Sequence, residues 1–189
     1  MSDLFDIEEF EGRHSVADLW RDRKAKIPRV RGVYIVRAPD GFKPTFLKTS
    51  RGGHLNGRGL KGDGDPTVPI TDLEKLWVAG SPIIYIGQAG GRKSKEKLRT
   101  RIRALLDFGL GKPARHWGGR VLWQVEGAER FIISWRQLPD KDPYTVEQDM
   151  IAKFARKFGK PPFANWPQAA RRSVRPPPRP ARRARAVVA

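Results

Sequence analysis

The sequence predicts an α+β domain: a small, mainly antiparallel β-sheet flanked by helices, with a long insertion between its first two strands. Three observations lead there. Short runs of β-branched and aromatic residues recur at 30–37, 82–88, 121–125 and 131–137. Two longer segments, 94–108 and 142–158, carry apolar residues at helical spacing. The resulting order, β-loop-β-α-β-β-α after one short helix, sets helices against a single small sheet.

Each element has a local justification. Ser15, with Asp18 three residues on, opens a helix over 15–26, which Pro28 closes. Val30, Val33, Tyr34, Ile35 and Val36 make the first strand. Residues 38–82 form a long connection. Its glycine-rich middle, 51–65, reads as an exposed loop, and 72–78 as a short helix. Ile83, Ile84, Tyr85 and Ile86 build the second strand, and 87–91 a turn. Leu98, Ile102 and Leu105 mark the apolar face of the helix over 94–108, with a loop over 109–119. The strands at 121–125 and 131–137 are joined through a hairpin turn at Glu126-Gly127-Ala128. Asp142 caps the final helix, Pro143 fills its first turn, and Gly159 stops it after Phe158.

Composition narrows the function. The chain has 189 residues, 38 Lys plus Arg against 20 Asp plus Glu, a net charge of +18 and no cysteine. A disulfide scaffold, a cysteine-ligated zinc or iron–sulfur site and a cysteine nucleophile are thereby excluded. Three histidines leave little room for a histidine-rich metal site. No apolar run approaches the ~18 residues a membrane helix needs, and the acidic N-terminus does not read as a signal peptide. The expectation is a cytoplasmic protein with a polyanionic partner. Residues 1–29 sum to −1, 30–170 to +12 and 171–189 to +7. The last segment, rich in Arg and Pro, reads as a disordered tail that adds non-specific attraction to phosphate.

Several candidate residues have two readings. Gly57 to Gly62 matches a GxGxxG string but lacks the strand before it and the helix after it, so a flexible basic loop is the better account. Glu147 falls at the centre of the apolar stripe Met150, Ile151, Phe154 and Phe158. There it is costly unless paired or metal-bound. The other reading is a first-turn glutamate that reaches solvent or the helix N-terminus. Arg92, Lys93, Lys95, Lys97, Arg99, Arg101 and Arg103 surround the helix over 94–108, with Glu96 the nearby acid. Arg101 lies ~70° from the mean apolar direction and Arg99 ~90° off on the other flank; spacing does not choose between them. Tyr34 and Tyr85 are packing residues by default, Trp117 and Trp123 core or base-stacking residues, and His116 a loop histidine.

Taken together, Gly32-Val33-Tyr34 and Tyr85-Ile86-Gly87 resemble the two signature tripeptides of the GIY-YIG endonuclease family. Leu98-Arg99-Thr100-Arg101 is similar to the family's helix motif, Glu147 to its metal-binding glutamate and Asn165 to the asparagine that closes its domain. The resemblance covers about residues 30–166, roughly three quarters of the chain. It divides the chain into an N-terminal helical extension (1–29), a nuclease-like domain (30–166) with an insertion (38–82), and a tail (167–189). Two features depart from the pattern. Tyr34 and Tyr85 are 51 residues apart, far more than the family's usual spacing, which makes 38–82 a looped excursion off the sheet. Position 105 is leucine, where some members carry a further catalytic group.

The resemblance implies a metal-dependent DNA endonuclease, an enzyme that hydrolyses phosphodiester bonds by in-line water attack. RNA is a further possible substrate. Glu147 would hold a single Mg²⁺ or Mn²⁺, Tyr34 would be the general base, and Tyr85 would position the water or phosphate. Arg101 would grip phosphate oxygens. The remaining cations of the helix and His116 would bind nucleic acid, with Gly32, Gly87 and Asn165 structural. A tyrosine near pKa 10 is a poor base at neutral pH, so Arg101 is also expected to lower the Tyr34 pKa. The alternative is a catalytically inactive nucleic-acid-binding module of the same fold.

Overall fold

The computed structural model describes residues 5, 7–22, 27–54, 64–92, 94–113 and 119–165. Its centre is a four-stranded antiparallel sheet in the order β1-β4-β2-β3, with β1 Glu11–Ser15, β2 Gly32–Arg37, β3 Ile83–Ala89 and β4 Ile132–Gln137. In β2, Val33, Tyr34, Ile35 and Val36 are all buried. A strand covered on both faces needs such an unbroken apolar run, and branched and aromatic side chains fit its pleat. Alternation along the strand sends Tyr34 and Val36 one way, into a core with Tyr85 and with Leu98, Ile102 and Leu105 of helix α3 (Leu98–Gly109). Val33 and Ile35 point the other way, onto Ile86 and onto Met150 and Phe154 of helix α4 (Pro143–Phe158). The sheet is thus flanked by a helix on each face.

Helix α4 has the predicted bounds. The Asp142 carboxylate accepts the Thr145 N–H, Pro143 stands in the first turn, and Gly159 takes the left-handed conformation (φ 76°) that ends the helix. Helix α1 (Val16–Arg21) has the predicted cap, Ser15 Oγ accepting the Asp18 N–H at 3.0 Å. It is shorter than expected: Asp22 is already outside it, and 23–26 lie outside the described residues. Helix α2 (Ile70–Leu76) sits two residues earlier than predicted.

Four expectations need correction. The N-terminal region is no separate extension: β1 pairs with β4, Glu11 opposite Trp135 and Ser15 opposite Ile132. Residues 94–97 are not helical, and α3 starts at Leu98 because the Leu98 and Arg99 N–H groups are bonded to the carbonyls of Val30 and Pro28. Residues 121–125 are no strand. The positions beside β4 are taken by β1 and β2, so this segment cannot pair with β4 as a hairpin partner. It forms a 3-10 turn at Arg120–Gln124, entered through Gly119 (φ 76°), and the expected hairpin is replaced by another such turn at Ala128–Arg130.

The fourth correction concerns the connection 38–82, whose described parts pack rather than loop outward. Phe46 bridges Val125, and the Gln124 side chain, fully buried, donates to the Leu47 and Val68 carbonyls and accepts the Val68 N–H. Three hydrogen bonds at one buried amide weld the two segments. The glycine string 57–62 and the tail 167–189 lie outside the described residues.

Candidate active site

The two signature strands bring their tyrosines onto one face. Tyr34 stands directly opposite Gly87 in the β2–β3 pair, and Tyr85, two residues before Gly87, shares that face. The rings meet edge-on at 5.8 Å between centroids. Glycine is required at 87 because a β-carbon there would lie 2.5 Å from Tyr34 Cζ and 2.6 Å from its hydroxyl. At Gly32 the obstacles are the Arg136 carbonyl and Leu98 Cδ1, so that glycine lets the first turn of α3 close on the sheet.

Arg101 leaves α3 on the flank of its apolar face, and Nη1 lies 3.1 Å from Glu96 Oε2. Glu147 stands in the second turn of α4, not the first, and is half-buried. Burial pushes its carboxyl up to about 7, against the opposing pull of the Gln148 amide and the Arg101 charge. Among the described residues it is in no salt bridge.

Tyr34 is fully buried and its pKa is raised well above 10, by burial first and then by Tyr85. Arg101 pulls the other way, and Glu147 adds to the rise. Arg101 therefore acts on Tyr34 in the expected direction, but burial outweighs it and the phenol is neutral at pH 7. The Tyr34 hydroxyl makes no hydrogen bond of ordinary geometry among the described residues; its interaction with Tyr85 is a close approach that disfavours phenolate. Four residues from β2, β3, α3 and α4 form one electrostatic unit.

Glu147 is the residue of this unit that could hold a divalent cation. Glu147 offers a hard oxygen donor in a setting that penalises its negative charge, and a cation offsets that penalty. No group of three His, Cys, Asp or Glu side chains occurs among the described residues. The ion would rest on Glu147 and water, a sparse protein shell that Mg²⁺ tolerates because it retains several waters.

Asn165 locks the second tyrosine strand. Its side-chain amide accepts the Ile86 N–H at 2.8 Å and donates to the Ile86 carbonyl at 2.7 Å, pairing like a strand residue between Tyr85 and Gly87. Ala164 N–H extends the same edge to the Ile84 carbonyl. Of the basic residues, Arg92, Lys95 and Lys97 are exposed. The Arg92 guanidinium lies 3.8 Å above the Tyr144 ring. The Arg99 Nε donates to the Ile27 carbonyl at 2.7 Å and tethers the chain entering β2. Arg103 is half-buried. Lys93 and His116 lie outside the described residues, as does Trp117. Trp123 is a core residue stacked on Trp20.

Two residues beside the site were given no part in it by the sequence reading. Glu96 holds Arg101. Asp142, read only as a cap, also accepts the Arg92 N–H at 2.8 Å and so ties the β3–α3 connection to the start of α4. A lone acid among seven cations was the available signal for the first; the second had none, since its partner is 50 residues away.

Comparisons with protein-family models, with curated proteins and with solved structures gave no match.

Proposed function

We propose that this chain is a divalent-metal-dependent endonuclease of the GIY-YIG type, hydrolysing phosphodiester bonds in DNA. The observation that carries the reading is the convergence of Tyr34, Tyr85, Arg101 and Glu147 from four separate elements: the tyrosine rings are in contact, the other three groups all act on Tyr34, and Arg101 also acts on Glu147. Such clusters mark sites of proton and charge chemistry.

A cation held by Glu147 would supply Lewis-acid charge to the phosphoryl oxygens and acidity to its waters. The side chains do the rest. Arg101, planar and permanently charged, takes two non-bridging oxygens as a fork and stabilises the charge that builds up on them. Tyr85 and Tyr34 orient the attacking water through their hydroxyls once the site, closed over Tyr34 when empty, opens to substrate. Tyr34 acts as base only after losing its own proton, which Arg101 favours and the Glu147 charge opposes. Neutralising Glu147 therefore also eases ionisation of Tyr34. Lys95, Lys97 and Arg92, exposed around the start of α3, add sequence-independent attraction to the backbone.

The test incubates supercoiled plasmid, branched DNA and RNA with the protein and Mg²⁺ or EDTA. Nicking should require metal and vanish in Glu147→Ala and Arg101→Ala. Nicking that persists in both variants overturns the assignment. A second reading, an inactive nucleic-acid-binding module, draws on the complete burial of Tyr34. Binding of all substrates without cleavage of any would select it.

A further inference from the structure

We propose that Glu96 is a resident stand-in for the substrate phosphate: its carboxylate occupies the Arg101 guanidinium until a nucleic-acid phosphodiester displaces it. The inference rests on the nuclease-like site above and adds a determinant of its affinity.

Four observations support it. Glu96 is the one acid in 92–103, a stretch with seven cations, and it pairs with the cation that also acts on Tyr34 and Glu147. The pair is asymmetric: the Arg101 side chain is 25% exposed and the Glu96 side chain 46%, so the acid lies on the solvent side of the guanidinium. The backbone of Glu96 is held in place. Its N–H is bonded to Ser94 Oγ at 3.2 Å, and its carbonyl lies against Gly90, where a β-carbon would come within 2.9 Å. Finally, the pair spans the junction between the extended segment and α3, so it is not one of the i,i+4 pairs that decorate helix surfaces.

The exchange follows from ordinary electrostatics. A guanidinium three-quarters buried costs free energy without a counter-charge, and Glu96 provides one while the site is empty. A partly exposed ion pair is weak. A phosphate with two oxygens in the fork plane replaces it with a stronger contact, and the released carboxylate returns to water. Glu96 thus lowers the affinity for any anion by the free energy of the pair it must give up.

The experiment measures binding of a short fluorescent DNA duplex in EDTA, where no cleavage intervenes. Glu96→Gln should tighten binding about threefold to tenfold. Glu126→Gln removes an equal charge from an exposed position on another segment, where the Arg101 ion pair is left intact, and should change it less than about twofold. In an Arg101→Gln background the gain from Glu96→Gln should shrink to that of the control, because the partner is gone. Arg101→Lys, which keeps the charge without the fork, serves as a second background and should also reduce the gain. No tightening beyond the control, or a gain in the Arg101→Gln background as large as in the parent, overturns the proposal. The nuclease reading fails separately, through absence of metal-dependent cleavage, and leaves this coupling measurable.

Discussion

Asp142 and Glu147 stand five residues apart on the same helix and are held in opposite ways. Asp142 accepts hydrogen bonds from the Arg92 and Thr145 N–H groups and from the Thr145 hydroxyl, and these hold its carboxyl below the usual 3.8. Glu147 receives one long hydrogen bond, from the Gln148 amide at 3.4 Å, and burial lifts it to about 7. Asp142 is stabilised as an anion by its own fold; Glu147 is not. For Glu147 the Gln148 amide and the Arg101 charge pull toward the anion, and burial outweighs them.

The sharpest way to break this contrast is to neutralise each acid in turn. Glu147→Gln should reduce metal-dependent nicking at least about a hundredfold, while Asp142→Asn should stay within a few-fold of the parent; equal losses would erase the distinction. The next effect is on the tyrosine side of the site. Gly87→Ala should cost about 2 kcal/mol in urea unfolding, since its methyl meets the fully buried Tyr34 ring.

Stability against pH should then separate the two acids by sign. Glu147 has a folded pKa of about 7 against an ordinary 4.5, so the folded chain keeps a proton that the unfolded chain loses. Its favourable contribution is complete below pH 4.5 and is lost as the pH rises to about 7. Glu147→Gln should accordingly gain on the order of 2 kcal/mol at pH 8 and nothing at pH 4. Mg²⁺ should raise the parent Tm by a few degrees at pH 8 and lose that effect by pH 5, because protons compete for the same oxygens. Asp142 has the opposite linkage. Its contribution is present above pH 3.8 and is lost as the pH falls through its depressed folded value. The smallest effect follows: Asp142→Ala should lower Tm by a few degrees at pH 7, a difference that narrows in strong acid. Thermal scans across pH check both signs.

Local chemistry explains what could be read in the sequence. Helix α4 was legible in full because Asp142, Pro143 and Gly159 act on their own neighbours. β2, β3 and β4 were legible from β-branched and aromatic runs. The stretch 121–125 misled because its apolar run lacks the alternation of a half-buried strand, and all five residues are buried. β1, Glu-Gly-Arg-His-Ser, has no strand character of its own and exists because β4 offers it an edge. At the site, the residue types and elements of Tyr34, Tyr85, Arg101 and Glu147 were visible. That burial would outweigh Arg101 at Tyr34, and that Arg99 would spend its Nε on the Ile27 carbonyl, depends on contacts across the fold.

The strand order carries a consequence for synthesis. β4 lies between β1 and β2, yet it is the last strand made. Until residue 137 is available, β1 has no partner and β2 has only β3, joined to it across 45 intervening residues. Loop closure over such separations is slow and brings little reward until the central strand arrives. Glu147 and the Asn165 clamp on Ile86 come later still. A ribosome-bound fragment of this basic chain would therefore carry most of its cations before Tyr34, Tyr85, Arg101 and Glu147 are brought together.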